Sequence, residues 1–237
     1  MLEEVLTTEV DDTRTKPIVA QLTGAKLSYP SAEGEVSVLN GIDLEVEAGE
    51  IIGVMGPSGS GKSSLIALIA GLEAATGGQV SVLGTDLAKT SEAERTRLRR
   101  LEIGVVFQSF HLVPAMTVLQ NASLSLMLGG GADAEKAGRE ILERVGLGHR
   151  LSHKPSALSG GEQQRVAIAR AFAPSPKLIL ADEPTGNLDQ ETGNEVVETM
   201  FKLVRDTGAS MLMVTHDRNL AQRCDRIVEI DAGMIRF

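Results

Sequence analysis

Tryptophan is absent from this 237-residue chain, tyrosine occurs once, at Tyr29, and cysteine once, at Cys224. So few aromatic planes leave little with which to stack nucleobases, and a lone thiol supports neither an internal disulfide framework nor a cysteine-based metal site. Such cysteine usage suits a reducing compartment such as the cytoplasm. Positive charge is also in deficit, with 23 Lys and Arg against 32 Asp and Glu and a formal charge of -9. No overall basic field exists to displace counterions from a nucleic acid backbone, so no nucleic acid partner is expected. No apolar run approaches the roughly 20 residues that span a bilayer. The opening "MLEEVLTTEVDDTRTKPIVA" is acidic where an export signal needs a basic start and an apolar core. A membrane role would therefore need a partner that supplies the membrane. Repeats at solenoid spacing are missing too.

What is present is a hydrophobic fraction of 42%, enough for one large packed domain with a modest insert. A polar arm, 1–17, is expected to precede the domain, 18–237. "IVAQLTGAKLSY" reads as a strand, "EGEVSVLNGIDLEVEAGE" as a hairpin-like pair and "IIGVMG" as a short apolar strand. "SSLIALIAGL" is apolar on nearly every face and reads as a buried helix stopped at Gly71, whereas "TSEAERTRLRR" reads as a charged helix whose arginines form a solvated face. Residues 108–158 look mainly helical and are expected to form an inserted subdomain. Beyond them "KLILAD" and "SMLMVTH" are apolar strands separated by the helical "ETGNEVVETMFKLVRDTG", the alternation of a doubly wound parallel sheet. Ligands in such folds sit outside the carboxyl ends of the strands. Four strands would bring the glycine loop after "IIGVM", Gln108, the pair Asp182 and Glu183, and His216 to one polar edge.

"GPSGSGKS", Gly56 to Ser63, fits G-x-x-x-x-G-K-[ST] between a strand and a helix, a context that a chance glycine-rich turn would not share. Gly56, Ser58, Gly59, Ser60, Gly61, Lys62, Ser63 and Ser64 are the expected phosphate-binding residues. The glycines leave amides free to cradle a β-phosphate, Lys62 reaches the β/γ oxygens, and Ser63 ligates Mg2+. In "LILADEP" side chains alternate faces, so Asp182 and Glu183 cannot both aim at one metal unless the backbone turns before Pro184. Asp182 is the expected Mg2+ holder and Glu183 the general base that deprotonates the attacking water. "LSGGEQQRVAIARAF" contains a capping box of Ser159 and Glu162. Gly160 and Gly161 weaken the first turn by up to about 1 kcal/mol each. Something is expected to approach that helix end closely, and its amides and dipole favour an anion.

"GPSGSGKS", Gln108, "LSGGEQQR", "LILADEP", "GNLD" and His216, in this order and spacing, resemble the nucleotide-binding subunit of an ATP-binding cassette (ABC) transporter from about Ala20 to Phe237. "FQSFHLVPAMTVLQN" and "ADEPTGNLDQETG" resemble its lipoprotein-releasing and macrolide-efflux branch, and "GLGHRLSHKPSALSGGEQQRVAIARAF" the YbbA-type ATPases within it. The resemblance implies an α/β fold: a P-loop NTPase (RecA-like) core with a mostly parallel sheet, an antiparallel β subdomain and an inserted α-helical subdomain. It implies a head-to-tail homodimer closing on two ATP molecules, each held by the glycine loop of one copy and by Ser159, Gly160, Gly161 and Glu162 of the other. Gln108 would join Ser63 and Asp182 at Mg2+, His216 would grip the γ-phosphate, Asp189 would link the sites across the interface, and Tyr29 would stack on adenine. The implied partner is an integral membrane permease, which would hold the chain at the cytoplasmic face of the inner membrane. Two other classes remain open: a soluble cassette ATPase of DNA repair or translation, and a nucleotide-gated regulator of a membrane protein. The short insert and single cassette count against the first of these. The transported substrate is not legible.

Overall fold

The computed structural model describes residues 16–32, 34–131 and 133–236, so most of the arm expected at 1–17 lies outside the described residues. The chain begins with β1 (Ile18–Ser31), β2 (Gly34–Glu47), β3 (Ile51–Met55) and α1 (Lys62–Ile69), then continues through β4 (Gly77–Val82), β5 (Thr85–Asp86), α2 (Glu92–Leu101) and β6 (Ile103–Phe107). Three helices follow, α3 (Val118–Leu128), α4 (Ala134–Arg144) and α5 (Gly160–Phe172). The last part comprises β7 (Leu178–Asp182), α6 (Gln190–Thr207), β8 (Ser210–Val214), α7 (Arg218–Ala221), β9 (Arg226–Asp231) and β10 (Met234–Arg236).

Two sheets result. The four-stranded one is antiparallel in the order β2-β1-β4-β5, and the six-stranded one runs β10-β9-β3-β8-β7-β6 with only β10 antiparallel to its neighbour. Strands buried on both faces read as continuous apolar runs, and "IIGVM", "LILAD" and "SMLMV" do. Alternate residues serve opposite cores. Ile51, Val106, Ile179, Ala181, Met211 and Met213 pack with α5, α6, α3 and α4, while Ile52, Val54, Leu180, Leu212 and Val214 pack with α1 and the antiparallel sheet. The expected fold class holds. Helices α3 and α4 bury Val118, Ala122, Ile141 and Leu142 in the same core as α5 and α6.

Two expectations are corrected. The supposed hairpin within residues 33–50 is the single strand β2, paired along β1. Asn40–Gly41 would suit a hairpin turn. Here Asn40 donates its N–H to Gly233 O (2.8 Å) and its side-chain amide to Ala232 O (2.9 Å), and Gly41 (φ 94°) bends the strand without reversing it. The arginines of α2 are likewise not merely solvated. Arg99 donates to Gly71 O (2.6 Å), satisfying a carbonyl just past the end of α1, and Arg100 donates to Leu128 O (2.9 Å) at the last residue of α3.

Because β3, β8, β7 and β6 are adjacent and parallel, their carboxyl ends form one edge. That edge carries Gly56, His216, Asp182 with Glu183, and Gln108.

Candidate functional site

The glycine loop is shaped by what presses on it. Gly61 caps α1 with φ 104°, and a Cβ there would lie 2.7 Å from Leu39 Cδ2; at Gly56 a Cβ would overlap the carbonyl of Ile230. Only glycine fits both the left-handed backbone and the close approach. The turn after β9 supports the loop from outside, with Gly233 N–H donating to Ser60 O at 3.1 Å while Asn40 holds Gly233 and Ala232. Lys62 is buried, and its Nζ spans the loop to Gly56 O (2.9 Å) and Pro57 O (2.8 Å). The amides of Ser58, Gly59 and Gly61 donate to no backbone carbonyl among the described residues, and the Ser60 hydroxyl is buried without a partner. These are donors waiting for an acceptor.

Asp182 ends β7 half-buried, and the Ser63 hydroxyl hydrogen-bonds to its carboxylate. Burial pushes this carboxyl above the usual aspartate range, Glu183 adds to that, and the Ser63 bond and the Lys62 charge oppose it. Ser63 and Asp182 thus offer two hard oxygens, the donor set of a Mg2+ site completed by phosphate oxygens and water. Among the described residues no cluster of three His, Cys, Asp or Glu could hold a metal unaided. At the next residue the backbone turns, as the alternation argument required. Glu183 has φ 44°, its N–H donates to Val214 O (3.0 Å) and its carbonyl accepts from Gly186 N–H (3.0 Å). The turn sends the Glu183 carboxylate towards His216, whose Nδ1 lies 3.3 Å away on a largely exposed ring. A left-handed non-glycine residue is strained by about 1–2 kcal/mol, and such strain concentrates at functional sites.

Gln108 is fastened less to Ser63 than to the loop after β7. Its Nε2 donates to Asn187 Oδ1 (3.4 Å), Asn187 Nδ2 donates to Gln108 O (3.0 Å), and Gly186 leaves room for the Gln108 side chain. Three polar residues that the motifs did not flag organise the same region. Gln164 of α5 is fully buried and donates to Phe107 O (3.3 Å) and Pro184 O (2.7 Å). Arg170 donates to His111 O (2.6 Å) and Phe110 O (3.0 Å), and burial lowers its pKa. Asn121 of α3 is fully buried among the carbonyls of Val113, Met116 and Thr117. The available signal was helical period: Gln164 shares a stripe with the buried Ile168 and Ala171.

The capping box of α5 forms as expected: Glu162 N–H donates to Ser159 Oγ (3.2 Å), and Ser159 N–H donates to Glu162 Oε2 (2.8 Å). The Ser159 amide bond holds the Glu162 carboxyl below its usual range, with Arg150 contributing at 3.3 Å. Packing within the chain also accounts for Gly161: a Cβ there would overlap Thr192 Cγ2, so contact with α6 by itself calls for glycine. Gly160 is open apart from Leu188 Cδ2 at 3.2 Å. First-turn amides have no intrahelical acceptor. No hydrogen bond joins Ser159 or Glu162 to residues 56–63 among the described residues. Asp189 caps α6 by accepting from Thr192 N–H (3.0 Å), a bond that lowers its pKa. A groove of about 430 Å³ beside it is lined by Glu183, Asp189, Asn194, His216, Asn219 and Arg223. Tyr29 is exposed on β1 opposite Val36, and its hydroxyl pKa is raised by partial burial and by the nearby Glu73 carboxylate. It is not packed in the core.

A family model described as ABC transporter matches residues 39–186. The chain is 45% identical over 220 residues to an uncharacterized ABC transporter ATP-binding protein, YbbA, of Escherichia coli (strain K12), covering 92% of this chain and 96% of that protein. It is 47% identical over 211 residues to the lipoprotein-releasing system ATP-binding protein LolD of Alcanivorax borkumensis, covering 88% and 92%. Among solved structures it resembles the ATP-binding cassette MJ0796, a dimer in a post-hydrolysis state bound to ADP and Pi, with a TM-score of 0.84 and 37% identity over 92% of this chain and 97% of that one.

Proposed function

Since the chain belongs to the ABC transporter family, we propose that it is an ATP-hydrolysing subunit in which two copies close head to tail on ATP and drive a membrane permease of the lipoprotein-release type. The observation that carries this reading is the meeting, at one strand edge, of Ser63 with Asp182 and of Glu183 with His216, beside a loop spanned by Lys62. The solved dimeric cassette with ADP and Pi, and the LolD relatives, support it.

In this reading Lys62 leaves the carbonyls of Gly56 and Pro57 for the β- and γ-phosphates, and the amides from Ser58 to Ser64 take the β-phosphate. Ser63 and Asp182, joined by Gln108, would hold Mg2+, which when bound neutralises charge on the phosphates. Glu183 accepts a proton from water as the water oxygen bonds to the γ-phosphorus and the bond to ADP breaks. His216 holds the γ-phosphate and, 3.3 Å from Glu183, fixes the direction of that carboxylate. From the partner, Ser159 and the first-turn amides of Gly160 and Gly161 face the same γ-phosphate, with Glu162 keeping their helix end in shape. Asp189 lies at the interface and Tyr29 stacks on the adenine. No helix among the described residues is long and apolar enough to cross a membrane. The permease would therefore hold the chain peripherally at the cytoplasmic face of the inner membrane.

The test is Glu183→Gln. Hydrolysis should stop while Mg-ATP still drives dimerisation, measured by light scattering, and the permease should be recovered with the chain from gently solubilised membrane. Full turnover in this variant, or a monomer at saturating Mg-ATP, would overturn the reading.

A further inference from the structure

The peptide units on either side of Gln108 are both held by side-chain amides, and the two amides come from different elements. Gln164, on the helix that begins at Ser159, donates to the carbonyl of Phe107. Asn187, in the loop that leads to Asp189, donates to the carbonyl of Gln108 itself. The same Gln164 nitrogen also donates to Pro184 O, immediately after Glu183. Its partners are both carbonyls, so the end of the side chain pointing at them is the nitrogen; the opposite oxygen, Oε1, is buried without a donor. An unpaired buried oxygen is costly, and apolar packing alone would be better served by leucine on this fully buried stripe. Gly186 completes the arrangement, because any side chain there would fall within 2.6 Å of Gln108 Nε2.

The geometry points to Gln164 and Asn187 as positioning residues that clamp Gln108 from both sides and tie its orientation to the two elements placed against the partner copy. This rests on the reading of Gln108 as the residue that reaches Mg2+ and the γ-phosphate. Neither clamp residue touches nucleotide. Each fixes a carbonyl, and so the φ/ψ from which the Gln108 side chain departs. A shift of α5 or of the loop before Asp189 as two copies close would then be felt at Gln108 without any direct bond to it.

The test is a double-mutant cycle in the full chain, reading steady-state hydrolysis against Mg2+ concentration at saturating ATP, with thermal melts alongside. Asn187 is exposed, so Asn187→Ala should fold normally, lower kcat about threefold to tenfold and raise the Mg2+ needed for half-maximal turnover, the worth of one hydrogen bond to a positioned group. Its KM for ATP should stay within about twofold, since the loop that binds the other phosphates is untouched. Gln164→Glu keeps the shape and loses a donor, and should act in the same direction, with turnover partly restored as the pH falls and the buried carboxyl becomes a protonated donor. In a Gln108→Ala background Asn187→Ala should have no further effect on kcat or Mg2+ dependence, and Gln164→Glu should keep only the effect of its bond to Pro184 O. Full additivity in that background, with Gln108→Ala itself impaired, would overturn the clamp alone. An inert Gln108→Ala would overturn the reading of Gln108 and the clamp with it.

Discussion

Glu183→Gly should make the nucleotide-free protein more stable than Glu183→Gln, although both are expected to abolish hydrolysis. The backbone at Glu183 is left-handed, φ 44°, and this conformation costs an L-residue about 1–2 kcal/mol while costing glycine nothing. Against that, glycine brings about 0.5–1 kcal/mol of extra freedom to the unfolded chain. The surplus is about 0–1.5 kcal/mol in favour of glycine. Glutamine is the proper reference because it keeps the strain while losing, as glycine does, the carboxylate that faces His216 at 3.3 Å. That contact is largely solvated and contributes about 0–1 kcal/mol in any case. For a chain of this size the surplus corresponds to a melting temperature higher by up to about 6 °C. Both variants should be melted in the same buffer with chelator and without nucleotide, followed by circular dichroism. If the glycine variant melts below the glutamine variant, the turn at Glu183 does not store the strain its backbone implies, and the carboxylate is not aimed at a cost.

Gly161→Ala should lower stability by about 1–3 kcal/mol, because its Cβ has no room beside Thr192 Cγ2. Thr192→Ser, which removes that methyl and keeps the hydroxyl, should recover most of the loss in a thermal-melt cycle; simple additivity would show that the clash is relieved elsewhere. At Asp182 the folded state favours the protonated form. Its ionisation therefore costs stability, a cost that appears as pH rises past the ordinary aspartate range and is complete above the raised folded value. Nucleotide-free Asp182→Asn should melt above wild type near neutrality, the gap closing on acidification below the ordinary range, and Mg-ATP turnover should be lost. A gap that does not change with pH would remove burial as the cause of the shift.

Strand-edge chemistry was legible because it is local. The apolar run "LILAD" followed by Asp182 and Glu183, the glycine loop before an apolar helix, and the Ser159–Glu162 cap each declare themselves within a few residues. The misreadings came where a distant segment decides. Asn40–Gly41 has the wording of a turn, yet Gly233 and Ala232 occupy its hydrogen bonds. At Gly161 the motif offered an anion as the reason for glycine but gave no sign of the second reason, Thr192, which fills the space where a side chain would stand. The arginines of α2 show helical charge patterning, but nothing nearby in sequence announces that the carbonyls of Gly71 and Leu128 will need donors. Gln164 and Asn187 were missed for the same reason: an amide declares no partner until the fold supplies one.

The turn after β9 places a constraint on how this chain can be made. Residues 56–63 leave the ribosome well before Ile230 and Gly233, which back Gly56 and hold Ser60. Until then the glycine loop proposed to hold a triphosphate lacks its backing, however well α1 has formed. On that reading, ATP captured during synthesis would report arrival of the β9–β10 hairpin, and ribosome-bound intermediates stalled before Arg226 should retain none.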